Sequence, residues 1–455
     1  MKRFGVLLPI FSLPSKHGIG CFSKEAYEFI DFLKETGHTI WQILPLNPPD
    51  AVNSPYSPIS VFAGNPNFIS LEDLIEEGLL YHCECDTLYW GHSKQYINYD
   101  IVNMYKSKLL EIAYYRFDKF DDKFIEFCDS NKEWLDDYAD FMAMKNNKTS
   151  KNLYKFMQYK FFEQWSKLKQ YANDKGIKIM GDMPIYVAPN GVEAWSNPEL
   201  FQLADNKAKC VAGCPPDDFS KDGQIWGNPL YDWSYHKNTG YQWWIKRMKQ
   251  MAKMYDIIRI DHFRGFADYY AIPKGKSALE GYWRLGPGKE LFDVIEREVD
   301  IEIVVEDLGE LTPIVHKLMK ETGYPGMRVL QFAYNDDYNN PHKPHNIPCN
   351  MVIYTGTHDN DTTLGWYLNS NDYHRNIALK ELEWTNEYEI NWKFIKCAMK
   401  SNANTVIIQM QDYLGLDGSC RTNTPGTISI NWKWRMLKDY RNEFLINKIK
   451  SLMNQ

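Results

Sequence analysis

The chain has 455 residues, a formal net charge of -7, 44% hydrophobic residues and 24% charged residues. These values fit one large globular domain or two average ones, and they give no basis for nucleic acid or an anionic membrane as partner. No apolar stretch approaches the length needed to span a bilayer.

Aromatic residues are abundant, 15% of the chain with 15 Trp and 30 Tyr. They fill large cores or present flat faces to a ligand, and core filling is the commoner use. The nine cysteines include two close pairs, Cys83/Cys85 and Cys210/Cys214, neither with a second pair at zinc-binding spacing. Thiols in a reducing cytoplasm are therefore expected. Met1-Lys-Arg before the apolar stretch from Phe4 to Phe11 has the look of a secretory leader. Gly5 and Pro9 interrupt that stretch, and no small-residue cleavage site follows. It reads as the first buried strand of a cytoplasmic protein.

Short apolar runs ending in polar or turn residues recur at 5–10, 39–44, 177–181, 256–260, 301–305, 327–332, 351–354 and 405–410. Helix-period segments separate most of them, at 24–35, 241–253, 290–297 and 312–321. Strands apolar on both faces, alternating with helices, predict a parallel sheet. Eight repeats predict an α/β fold closed as a (β/α)8 TIM barrel rather than an open sheet. A single catalytic domain over 1–455 is expected, with two connections too long for barrel loops. An inserted subdomain at about 47–176 is helical from about 104 to 171, with Leu109, Leu110, Ala113, Phe117 and Phe120 on one apolar face. A second, at about 184–240, is rich in Pro, Gly, Asn and Asp and reads as irregular loop covering a substrate.

The stretch Asp256-Ile-Ile-Arg-Ile-Asp-His-Phe-Arg-Gly-Phe266 is the most informative. Strand alternation puts Arg259 and Asp261 on one face at the strand's C-terminal end. Such a pair either fixes the strand as a buried ion pair or keeps a carboxylate ionised in a partly desolvated pocket. Active sites of barrels collect at the rim formed by these strand ends. Asp182 ends the third run, Asp261 and His262 the fourth, Glu306 and Asp307 the fifth, and Thr357-His-Asp-Asn-Asp361 follows the seventh. Four acid-bearing strand ends on one rim exceed what loop capping requires.

Two chemistries use such a set. A metal-dependent hydrolase would take His262, His358 and the carboxylates as ligands, but the end of the first strand, Leu8-Pro-Ile-Phe-Ser-Leu13, offers no metal ligand. Glycoside chemistry needs two carboxylates flanking the bond, about 5–5.5 Å apart when configuration is retained, and no metal. The loops Ser54-Pro-Tyr56, Pro215-Pro-Asp-Asp-Phe219 and Gln224-Ile-Trp-Gly-Asn-Pro229 supply the mixture of aromatic faces and hydrogen-bonding groups that sugars require.

Further stretches occur together with these and in order. They are Gly5-Val-Leu-Leu-Pro-Ile-Phe-Ser-Leu-Pro-Ser15, Trp41-Gln-Ile-Leu-Pro-Leu46, Phe62-Ala-Gly-Asn-Pro66, Gly181-Asp-Met-Pro-Ile-Tyr186, Val305-Glu-Asp-Leu-Gly309, Pro325-Gly-Met327 and Asn423-Thr-Pro-Gly426. With them the chain resembles, nearly end to end, the 4-α-glucanotransferases (amylomaltases or disproportionating enzymes, glycoside hydrolase family 77). The resemblance implies retaining transfer of an α-1,4-glucan segment from a donor maltooligosaccharide or glucan to the 4-hydroxyl of an acceptor. The transfer would pass through a covalent glucosyl-enzyme, with no cofactor and no metal. By that resemblance Asp261 is the nucleophile, Glu306 the acid/base and Asp359 the acid that stabilises the transition state. Arg259 and His358 match residues that contact the sugar or the nucleophile, and Tyr56 matches a tyrosine stacked beside the reacting sugar. Asp217 and Trp226 match the mobile loop that closes over the acceptor side, and Asp182 and Asn423 match further sugar contacts. Maltooligosaccharides and α-1,4-glucans are the implied partners, with neither nucleic acid nor membrane.

That assignment carries physical expectations. Arg259 is expected to depress the pKa of Asp261, while burial and neighbouring carboxylates raise that of Glu306. Asp307 is expected to point away and make a structural hydrogen bond, and His262 to be local scaffold. The chain departs from the family pattern at Ser57, where a glutamine is usual, and at Cys21-Phe22, where an acidic–apolar pair is common. Pro189-Asn190 stands where an aspartate is common, Asp218 where an aromatic is frequent, and no Trp/Pro-rich segment occurs near residue 148. These departures bear on chain-length preference and remote glucan binding and leave the three carboxylates in place. The alternatives are a mainly hydrolytic α-glucanase with the same residues and a catalytically silent glucan-binding protein.

Overall fold

The computed structural model describes residues 2–147, 150–204, 207–216, 221–309, 311–385, 388–427 and 430–453. Its main sheet has eight parallel strands. Strand 1 is Arg3–Leu7, strand 2 Ile40–Gln42, strand 3 Lys178–Met183 and strand 4 Ile257–Ile260. Strand 5 is Glu302–Val305, strand 6 Gly326–Val329, strand 7 Met351–Tyr354 and strand 8 Thr405–Gln409. They pair in the order 5-4-3-2-1-8-7-6. The sheet's two ends then meet: the Val305 N–H donates to the Pro325 carbonyl at 2.9 Å. The Asp307 carboxylate accepts from the Met327 N–H at 2.6 Å and from Arg328 at 2.8 Å. Asp307 thus makes the structural hydrogen bond expected of it, and that bond closes a (β/α)8 barrel.

Strands covered on both faces must be apolar throughout, and Ile257–Ile260 and Thr405–Gln409 are buried at every position. Strand 3 runs to Met183, so Asp182 lies inside the ladder with Arg259 beside it in register. The run at 327–332 is only half strand, because Leu330–Phe332 turns into a 3-10 helix with no change in hydropathy to mark the boundary. The predicted helices form as Lys24–Thr36, Gln242–Met254, Lys289–Glu298 and Pro313–Thr322. Gly37 and Gly323 end two of them in the left-handed conformation that a side chain disfavours.

After strand 2 come the helices Tyr99–Arg116, Asp122–Ser130, Lys132–Lys145 and Lys151–Asp174. Leu109, Leu110 and Ala113 are buried as expected. Phe120 is not: it lies beyond the helix end and is 84% exposed. These helices share one continuous core with the barrel, and the Trp165 indole donates to the Met254 carbonyl at 3.0 Å.

Part of 184–240 is regular where irregular loop was expected. Cys210–Cys214 and Gln224–Pro229 pair with Asp268–Pro273 and Tyr282–Leu285 in a four-stranded antiparallel sheet. Pattern reading misses it because Gln224–Pro229 and Tyr282–Leu285 are edge strands with mostly unburied side chains, and Cys210–Cys214 carries a register shift. No helix among the described residues is long and apolar enough to cross a membrane.

Candidate active site

Arg259 is the hub of the rim. Its side chain is 3% exposed and meets three carboxylates. Nη1 donates to both oxygens of Asp182, at 2.7 and 2.8 Å, and to Asp261 Oδ1 at 3.1 Å. Nη2 donates to Glu306 Oε2 at 2.9 Å, and Nε reaches the Met327 sulfur at 3.3 Å. Parallel register explains the convergence, because strands 3, 4 and 5 are neighbours and set Asp182, Arg259 and Val304 side by side. Beyond strand 4 the backbone turns through His262 at φ 48°, which aims its N–H at Glu306 Oε2, 2.9 Å away.

Asp261 and Glu306 meet on Arg259, which donates to both, and each carboxyl acts on the other's ionisation. Burial and the Glu306 charge push Asp261 well above the usual carboxylate range. Burial acts on Glu306 too, but Arg259 and the His262 N–H outweigh it and hold Glu306 below its ordinary value. This inverts the expected pattern of an ionised Asp261 and a protonated Glu306. Arg259 spends its shortest bonds on Asp182 and its second nitrogen on Glu306, leaving Asp261 the longest contact of the three. In the unliganded site ionisation is therefore more strongly opposed at Asp261 than at Glu306.

Across the rim, the loop after strand 7 presents Asp359, whose side chain is 45% exposed. Its Oδ1 accepts from the Asn423 amide at 2.6 Å, and its Oδ2 lies 3.4 Å from His358 Nε2. Burial opposes its charge, yet His358 and the Asn423 amide bring the carboxyl down to about 2. The Tyr56 ring stacks on His358 at 4.9 Å and 13°, with the Trp432 indole 5.8 Å from Tyr56. The Tyr56 hydroxyl donates to Asp182 Oδ2 at 2.7 Å, joining this wall to the Arg259 cluster.

Asp261, Glu306, Asp359, Tyr56, Arg259, His358 and Asn423 thus stand on one rim. Asp182 joins them differently from the sugar contact expected of it. It is fully buried, and its oxygens are taken by Arg259 and Tyr56, so it orients those two groups. His262 is scaffold through its backbone. Trp226, 37% exposed, packs its ring 4.9 Å from the His262 imidazole, which places the four-stranded sheet against the same rim. Asp217 lies outside the described residues.

Three contributors escape sequence reading. Met327 sits under Arg259, and Trp432 backs Tyr56 and His358. Arg421 donates to the carbonyls of Asp359 and of Asn423, the latter at 2.6 Å, clamping the two loops together. Each lies outside the motifs that carry acids; Met327 ends the quoted stretch Pro325-Gly-Met327 and Arg421 lies two residues before Asn423, but neither stretch points to its role, and Trp432 has no signal.

Comparison with known proteins places the chain in a family. The profile of the 4-alpha-glucanotransferase family matches residues 8–155 and 145–439. The 4-alpha-glucanotransferase of Clostridium butyricum is 44% identical, covering 97% of this chain and 98% of the relative. That of Streptococcus pneumoniae (strain TIGR4) is 42% identical, over 96% and 94%. Among solved structures, the amylomaltase from Streptococcus agalactiae in complex with acarbose superposes with a TM-score of 0.96 at 36% identity, over 100% of this chain and 99% of that one. The chain belongs to the 4-alpha-glucanotransferase family and is a glycosyl-transferring enzyme.

Proposed function

We propose that Asp261 is the nucleophile, Glu306 the acid/base and Asp359 the transition-state stabiliser of retaining transfer between α-1,4-glucans. The observation that carries this reading is the convergence of Asp261 and Glu306 on one buried guanidinium, which sets the two carboxyls side by side at the rim. In the reacting complex Asp261 is ionised and Glu306 protonated. Asp261 then attacks the anomeric carbon while Glu306 protonates the departing glycosidic oxygen, leaving a glucosyl ester and an ionised Glu306. The 4-hydroxyl of an acceptor gives its proton to Glu306 and attacks the same carbon, which releases Asp261. Two inversions retain the configuration.

Asp359, ionised and open to the cleft, faces the positive charge that builds on the ring. Tyr56 and His358 offer a stacked aromatic wall, Asn423 holds Asp359 in place, and Arg259 binds the carboxylates that react. Trp226, packed against His262 at the rim, covers the acceptor side and keeps water from the ester. Maltooligosaccharides and α-1,4-glucans are the substrates, and the absence of disulfides among the described cysteines supports a cytoplasmic setting. Incubation with maltotriose alone tests the reading. Glucose plus oligomers longer than the substrate is the expected outcome, and shorter products only would make the enzyme a hydrolase.

A further inference from the structure

A second cavity, of about 800 Å³, opens between three loops: 14–18 after strand 1, 86–94 before the helix Tyr99–Arg116, and 435–439 near the C-terminus. It shares no lining residue with the rim described above. Its size suits a small organic ligand.

The cavity's charges are unevenly matched. Lys16 is paired with Asp86 at 3.3 Å and Glu72 at 3.8 Å, and Lys438 with Glu25 at 2.7 Å. Arg435 and Lys94 form no ion pair among the described residues. Arg435 is only 3% exposed. Its guanidinium donates to the Ser15 and Ser93 carbonyls at 3.2 Å each, and its Nε has no hydrogen-bond partner. A loop tie made of neutral groups would hold these carbonyls without burying a charge. Burying an uncompensated cation is costly, and here it pushes the guanidinium down to about 10. Lys16 faces two acids, so cations and acids balance in number across the cavity and its partners; the imbalance is local, at Arg435 and Lys94, which meet no acid at ion-pair distance among the described residues.

The lining also includes an aromatic ring packed on two sides. The Trp90 indole donates to the Cys85 carbonyl at 3.1 Å. Its ring is held edge-on by His17, centroids 5.3 Å apart, and by Tyr105 at 5.5 Å. His17 is itself buried, and its ring nitrogens lie 3.3 Å from Glu72 and 3.6 Å from Asp86 without hydrogen bonds. A flat indole face, hydrogen-bonding groups and an unmatched cation pair occupy one enclosure.

We propose that this cavity binds a phosphorylated sugar, its phosphate between Arg435 and Lys94 and its ring against Trp90. A neutral glucan would leave the buried guanidinium uncompensated, and a bare anion would leave the aromatic wall unused. Trp432 of the rim is three residues from Arg435, so by chain length the two sites are within about 11 Å along the backbone.

Equilibrium dialysis of the full-length enzyme with glucose 1-phosphate tests this. Saturable binding is expected, weakened about tenfold or more by Lys94→Ala and by Trp90→Leu, with inorganic phosphate and maltose binding less tightly at this site. Lys94 is exposed, so its variant folds, and maltotriose disproportionation should stay within about twofold of wild type in both variants. Three outcomes would overturn the proposal. They are no saturable binding below about 10 mM, binding indifferent to both substitutions, and binding matched by inorganic phosphate or by maltose alone.

Discussion

The two sides of the rim hold the same kind of group in opposite states. On strands 3 to 5, three carboxylates crowd one buried arginine, and Asp261 is pushed well above its ordinary range. On the loop after strand 7, Asp359 stands with one amide and one imidazole and is held down to about 2. Burial opposes ionisation on both sides. The difference is the ratio of donors to acids: one guanidinium shared among three carboxylates leaves Asp261 the longest contact and the most opposed charge, whereas Asp359 competes with no other acid for its donors. A glycosyl-transferring site needs both conditions, a movable proton between two carboxyls and a fixed negative charge facing the sugar ring.

Substitutions can break that contrast from either side. Asp261→Asn puts a neutral isostere where burial and Glu306 oppose the charge, so the fold should keep its melting temperature. Turnover of maltotriose should fall about 10⁴-fold or more, the scale of losing a nucleophile. Retention of activity would refute the assignment. Arg259→Ala should abolish activity and also destabilise the fold by about 3–5 kcal/mol in denaturant titration, because it strands the buried Asp182 beside two more acids. A stable, folded Arg259→Ala protein would mean that the carboxylates do not depend on this cation. Asp359→Asn should leave the fold intact and lower kcat about 10²–10³-fold with little change in KM, since the lost interaction belongs to the transition state.

The smallest effect is on acid stability. The Asp359 pKa is depressed in the folded state, so its contribution is present above its unfolded value of about 3.9 and is lost as pH falls toward 2. Melting curves across that range should show a shallower acid limb for Asp359→Asn than for wild type. Asp261 has a raised folded pKa, so it adds stability as pH falls toward its unfolded value; Asp261→Asn should lose that gain and show a steeper acid limb than wild type. Equal limbs in all three proteins would remove the contrast.

Much of this arrangement is legible from the chain alone. The barrel is readable because Ile257–Ile260 and its equivalents must be apolar on both faces, and the acids at their ends stand out against that background. The motifs bring Asp261, Glu306 and Asp359 to one rim, but not their protonation. Alternation places Arg259 beside Asp261, yet it cannot say that Asp182, in register on strand 3, takes the shorter bonds. The four-stranded sheet is hidden for a related reason. Cys210–Cys214 finds its partner in Asp268–Pro273, more than fifty residues away, and local pattern carries no trace of such pairing.

The central claim is that Asp261 carries the glycosyl group between donor and acceptor. Glu306→Gln, supplied with α-maltosyl fluoride as a donor that needs no acid, removes the base that would clear the intermediate. Mass spectrometry of the digested protein should then find a glycosyl ester on the peptide bearing Asp261, absent from the doubly substituted Asp261→Asn/Glu306→Gln protein. An ester on Asp359 or on any other residue, or none under conditions where fluoride is released, would contradict the account.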